Sequence, residues 1–265
     1  MIIRTVMPFS SLWGDEMGSV KDIQVKVIPG PIANKFVKNH HYSGKIVNNS
    51  ILHFGAFLNG RLHGVMSFGN PIDKRNVLPL VNSSNETMNQ KWNEMLELNR
   101  MAFDQYLPRN SESRCISVAI RLIKKNAPHI KWILSFADGT QCGDGTIYRA
   151  SGFLLTAVNK NTTIVELPSG EKIARHGTSK RDFKGANTLP GFQLRYILLI
   201  DKTAEIAVEI IPFSKIEELG AGMYLGEKIS NAREAEGSKR PASSRKEGGS
   251  SPTSALQINE VLANG

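Results

Sequence analysis

The chain has 265 residues, 40% of them apolar, enough for the core of one generous domain or two small ones, which excludes a natively disordered protein. Its 33 Lys and Arg against 24 Asp and Glu give a formal charge of +9, which points to an anionic partner such as nucleic acid or a phosphorylated cofactor. The run Tyr196-Ile197-Leu198-Leu199-Ile200 is far short of the roughly 20 residues of a membrane helix, and with no apolar signal core after Met1 and only Cys115 and Cys142, a reducing cytoplasm is expected.

After an N-terminal extension, Pro31 to Asn39 reads as a short helix with Ile32, Phe36 and Val37 on one side, ending before His40-His41-Tyr42-Ser43-Gly44. Residues 51–58 and 61–68 read as a hairpin, because Asn59-Gly60 supplies the positive φ angles of a type I′ turn. Residues 70–93 read as polar and irregular, and Met95 to Phe103 as a third strand of the same sheet. Pro108-Arg109-Asn110-Ser111-Glu112-Ser113 offers N-cap residues for a helix carrying Ile116, Val118, Ala119, Ile120, Leu122 and Ile123, which ends at Lys124-Lys125. Ile130 to Ala137 follows as a central strand, so strand, helix and strand suggest a parallel crossover. A short helix at Thr146–Ala150 closed by Gly152, a strand from Phe153, a hairpin-like pair around Pro168-Ser169-Gly170 and a last strand at Phe192–Ile200 complete a mixed α/β order.

The excess charge lies in the folded part. Residues 1–213 carry 26 Lys and Arg and 17 Asp and Glu, whereas residues 214–265 carry seven of each. From Gly237 to Ser254 there is no aromatic residue and no aliphatic one larger than Ala, too little apolar surface to offset the entropy of ordering. We therefore expect one folded domain over 1–213 and a largely disordered tail over 214–265. The densest basic segment, Lys172, Arg175, His176, Lys180, Arg181 and Lys184, reads either as a solvated loop or as a surface for an anion.

Three groups of residues could carry chemistry. The helix start at Arg109–Arg114 could hold a pyrophosphate on its free N–H groups, or be an ordinary cap, since it lacks a glycine-rich loop. Asp138 ends an apolar strand, and ligands in open α/β sheets gather beyond the carboxyl ends of strands. His40, His41, Tyr42 and Tyr148 could join it, although His40-His41 is not the spacing of a helical zinc motif. Cys115 reads as a buried, inert thiol, Cys142 as a loop residue open to reaction, and Trp92 and Trp132 as packing residues.

Five stretches in order resemble the Mom family of phage adenine-modification proteins. They are His40-His41-Tyr42-Ser43-Gly44; the Leu52-His53-Phe54-Gly55 hairpin with Asn59-Gly60-Arg61; Leu96-Glu97-Leu98-Asn99-Arg100; Pro108 to Arg114; and Ser135-Phe136-Ala137-Asp138-Gly139 through Tyr148 to Phe153. The resemblance covers about residues 30–200 and implies a GNAT-like acyltransferase fold, a mixed sheet flanked by helices. It departs from ordinary GNAT proteins where Arg109–Arg114 replaces the glycine-rich loop. It implies conversion of adenine in DNA to an N6-carbamoylmethyl form that shields phage DNA from restriction. It further implies acetyl-CoA as donor and an iron(II) site at His41, Tyr42, Asp138 and Tyr148, the residues expected to be catalytic.

On this reading Arg100, Ser111, Arg114 and Ser117 help hold the donor, with Arg114 and Ser117 spaced i, i+3 on one helix face. Lys172, Arg175, Lys180, Arg181 and Lys184 hold double-stranded DNA, and a target adenine is flipped out of the stack. The state is left open between monomer and homodimer, and no membrane is expected. Two other readings stand beside it: a GNAT-like N-acetyltransferase of a small amine or nucleotide, and a non-catalytic DNA-binding protein.

Overall fold

The computed structural model describes residues 19–83, 88–140, 143–174, 183–224 and 227–228. A seven-stranded sheet organises the molecule, built from β1 (Gln24–Val27), β2 (Ser50–Leu58), β3 (Arg61–Gly69), β4 (Met95–Phe103), β5 (Trp132–Asp138), β6 (Leu154–Asn161) and β7 (Gly191–Leu199). Its spatial order is β1-β2-β3-β4-β5-β7-β6. Every neighbouring pair is antiparallel except β4 with β5, which are parallel. Three helices position the site: α1 (Gly30–His40), α2 (Ser111–Asn126) and α3 (Thr146–Ala150).

The expected hairpin forms, with Asn59 at φ 50° and Gly60 at φ 76°, the pair of positive angles a type I′ turn requires. The crossover from β4 through α2 to β5 gives the one parallel pair, as strand, helix and strand imply. The helices cover opposite sheet faces because strand residues alternate. Phe54, Met66, Phe68, Leu96 and Leu98 pack with Cys115, Ile116, Ala119 and Ile123 of α2. On the other face Val65 and Ala102 meet Ala33, Phe36 and Val37 of α1, where burial of Phe36 and Val37 contributes roughly 1.5–3 kcal/mol each. Burial pushes the Cys115 thiol up to about 12, which makes it the inert core residue expected.

The reading of residues 70–93 as irregular is corrected. Short helical turns at Lys74–Val77 and Leu78–Leu80 lead into Val81–Asn82, and Val77, Leu80 and Val81 bury against Trp132, Leu134 and Ile197. Their apolar residues are too few to show a helical or strand period. The start of α2 also differs from a side-chain cap: Asn110 sits in the left-handed region at φ 69° and makes no capping hydrogen bond. The chain continues to pack beyond residue 213, where Ile216 of the turn Ser214–Glu218 is 1% exposed in the main core. Met223 then closes over Gly139, where a Cβ would stand 2.8 Å from the Met223 Cβ. Residues 229–265, most of the expected tail, lie outside the described residues, as does Cys142.

Candidate functional site

The site begins where the sheet opens. β4 and β5 pair only through Met95–Leu98 and Trp132–Ser135, yet β4 runs on to Phe103 and β5 to Asp138. The unpaired ends border a cleft of about 880 Å³, within the size of small-molecule and cofactor sites. His41 and Tyr42 enter it from the end of α1, Glu97 and Arg100 from β4, Asp138 from β5 and Tyr148 from α3.

His41 is fixed from both backbone and side chain. Its N–H closes α1 on the Val37 carbonyl at 2.9 Å. Its ring Nδ1 accepts from the Ser43 N–H at 3.1 Å and lies 2.8 Å from Ser43 Oγ, so the neutral ring carries its proton on Nε2. Burial, aided by the Arg100 charge, lowers its pKa to about 4. The His41 and Tyr42 rings lie 4.2 Å apart between centroids.

Asp138 is held at both oxygens: Oδ1 accepts from the Thr140 N–H at 2.9 Å and Oδ2 from the Asn161 side-chain amide at 3.0 Å. Tyr148 is buried, its ring centroid 5.4 Å from Tyr196 and 5.5 Å from Phe153. Asp144 organises the helix that carries it, accepting from the Thr146 N–H at 3.2 Å and pairing with Arg149 at 3.1 Å. The Tyr196 hydroxyl donates to the Asp144 carbonyl, and Gly145 comes so near that ring that a Cβ would stand 2.4 Å from it.

Arg100 donates from Nε to the Lys45 carbonyl at 3.0 Å and from a terminal nitrogen to the Asn99 carbonyl at 2.7 Å. The expected donor-binding residues otherwise divide. Arg114 and Ser117 line a second groove of about 600 Å³ along α2, together with Arg121, Lys124 and Ser151. Ser111 is buried, and its hydroxyl donates to the Pro108 carbonyl, so it braces the turn before α2. Of the expected DNA-binding residues, Lys172 and Lys184 are exposed, and Arg175, Lys180 and Arg181 lie outside the described residues.

Sequence reasoning missed Glu97. Burial raises its carboxyl to about 7, against an opposing pull from the Arg100 charge. The available signal was an acid set between Leu96 and Leu98 in a strand that is otherwise buried.

The iron set implied for His41, Tyr42, Asp138 and Tyr148 does not fit as the residues stand. All four line one cleft, but His41 has Nδ1 engaged and its proton on Nε2, which removes the lone pair that would bind a metal. Among the described residues no three His, Cys, Asp or Glu side chains are grouped to hold an ion. The chemistry open to the cleft is that of a carboxylate with a raised pKa, a fixed guanidinium, an imidazole N–H donor, two phenols and a second carboxylate.

A mixed sheet flanked by helices and parted at its parallel pair, with Tyr148 just ahead of the Gly152-Phe153 turn, is the GNAT-like α/β class expected from the sequence. The model of the Mom protein family matches residues 22–215, and the chain belongs to that family. It is 38% identical over 146 residues to the methylcarbamoylase mom of Escherichia phage Mu, an alignment covering 54% of this chain and 56% of that one. Similar solved structures include a Bacillus subtilis acetyltransferase in complex with CoA, at 12% identity and TM-score 0.40, covering 67% of this chain and 98% of that one. A GNAT family acetyltransferase from Elizabethkingia anophelis with acetyl-CoA bound matches at 13% identity and TM-score 0.41 over the same shares. Among the described residues no helix is long and apolar enough to cross a membrane.

Proposed function

We propose that this chain is a transferase that modifies double-stranded DNA, converting adenine to its N6-carbamoylmethyl form and so protecting phage DNA from host restriction. The observation that carries the reading is the opening between β4 and β5 in a Mom-family chain, with His41, Tyr42, Glu97, Arg100, Asp138 and Tyr148 around it. The name methylcarbamoylase, borne by the phage Mu relative, supports the group transferred.

A base inside a duplex cannot reach such a cleft, so the adenine leaves the stack and enters it while the basic segment Lys172 to Lys184 neutralises phosphates. Acetyl-CoA is the donor that the family resemblance implies. Arg100 sits in the cleft, Arg114 and Ser117 offer a cation and a hydroxyl in the groove along α2, and Ser111 acts by holding the turn between them. Ordinary acyl transfer would bond N6 to a carbonyl carbon and give N6-acetyladenine, whereas the carbamoylmethyl group is attached through its CH2. The cleft's own residues therefore bind and orient the two partners and remove the amine proton.

DNA from cells expressing the chain should resist restriction enzymes whose sites contain adenine, while DNA from cells carrying an empty vector is cut. Full cleavage of both, with an acetylated small amine in the expressing cells, selects the N-acetyltransferase reading. Full cleavage with tight DNA binding alone selects the non-catalytic one.

A further inference from the structure

On an unbroken strand, residues three apart face opposite sides of the sheet. Glu97 and Arg100 do not, because the register between β3 and β4 slips: Phe68 pairs with Leu98 and Ser67 with Arg100, leaving Asn99 as the extra residue of a bulge. The bulge is held in place, since Asn99 Oδ1 accepts from Ser50 Oγ at 2.8 Å and its carbonyl accepts from Arg100. It aims the Glu97 carboxyl and the Arg100 guanidinium into the same cleft.

We infer that Glu97 is the proton acceptor for the exocyclic amine of the base in the cleft, with Arg100 as its charge partner. The inference rests on the reading that the cleft modifies an amine-bearing base. The N6 lone pair forms the new C–N bond at the electrophilic carbon of the donor. The bond from that carbon to its leaving group breaks, with the pair departing on the leaving group, and one N6 proton passes to the Glu97 carboxylate and then to water.

The other cleft groups are less suited to this task. His41 has Nδ1 committed to Ser43, and both oxygens of Asp138 already accept hydrogen bonds. The phenols of Tyr42 and Tyr148 stay protonated near neutrality. Glu97 faces Arg100 on its own strand, His41 and Tyr42 from the end of α1, Asp138 on β5, Tyr148 from α3 and Glu112 from α2. A carboxyl raised to about 7 is matched to taking and releasing a proton at neutral pH.

The test is the modification rate of duplex DNA by full-length protein from about pH 5 to about pH 9, for wild type, Glu97→Gln and Glu97→Asp. Wild type should rise with pH through a midpoint near 7. Glu97→Gln should lose that rise and at least about 100-fold in rate at the plateau. Its unfolding midpoint and DNA affinity should match wild type, and Glu97→Asp should keep a rise at reduced rate. If Glu97→Gln folds, binds DNA and keeps both the rise and a rate near wild type, the inference is overturned while the DNA-modification reading stands. A wild-type protein that modifies no DNA overturns both.

Discussion

The side-chain amide of Asn161, at the end of β6, donates to Asp138 Oδ2 at 3.0 Å across the strand that separates them. β7 lies between β5 and β6, beginning at Gly191, where a Cβ would stand 1.9 Å from Thr140 Oγ1. The Thr140 N–H takes the other oxygen of Asp138. Three chain segments thus converge to fix one carboxylate at the mouth of the cleft.

Asp138→Ala should abolish modification with the fold retained. Asn161→Ala removes one of two hydrogen bonds to the carboxylate, and a bond to a charged group is worth about 1.5–3 kcal/mol. A loss of about tenfold or more in rate is expected, read from a time course of modified nucleosides. A wild-type rate in Asn161→Ala would show that Asp138 needs no support from β6.

The basic segment makes a separate prediction. Lys172 and Lys184 are exposed, and each phosphate contact contributes about 0.9 to the slope of log K against log salt. Lys172→Ala with Lys184→Ala should weaken DNA binding and flatten the slope by about 1 to 2, measured by fluorescence anisotropy at several salt concentrations. An unchanged slope moves the DNA surface elsewhere.

His41 should leave a signature in the pH dependence of stability. Its folded pKa of about 4 lies below the ordinary 6.5, so as pH falls from 7 the unfolded state takes up a proton that the folded state refuses. The stability from keeping this ring neutral is complete above about pH 6.5 and is lost as pH falls toward 4. Glu97, raised by burial, works in the opposite sense in wild type and variant alike. Urea unfolding at pH 7 and pH 5 should therefore show a smaller loss for His41→Asn than for wild type. An equal loss would mean that the ring is not held neutral.

Ile216 tests how far the domain extends. It is 1% exposed in the main core, so Ile216→Ala should cost about 2–4 kcal/mol in denaturant unfolding. A change within about 0.5 kcal/mol would place this segment off the core.

Much of this arrangement was legible in the chain. Asn59-Gly60 marked the hairpin, and the apolar face from Ile116 to Ile123 marked α2. The element order gave the parallel crossover, and Asp138 at a strand end marked the cleft. What escaped depends on pairing between distant segments. The parting of β4 and β5 after Leu98 and Ser135 is a property of two strands together, so neither segment signals it alone. The bulge at Asn99 breaks the alternation that would place Glu97 opposite Arg100, and it appears only in the register with β3. Ser111 looked like a cap facing a ligand, but with Asn110 taking the left-handed turn its hydroxyl bonds inward to Pro108. Val77, Leu80 and Val81 gain their place from the Trp132 face, which a short local pattern does not disclose.

The central claim is that this cleft modifies adenine in DNA. Its most direct test is the mass of the nucleosides released from DNA of cells expressing wild type and, in parallel, Asp138→Ala. The account predicts N6-carbamoylmethyl-deoxyadenosine with wild type and unmodified deoxyadenosine with the variant. Unmodified deoxyadenosine from cells making folded wild-type protein would contradict it.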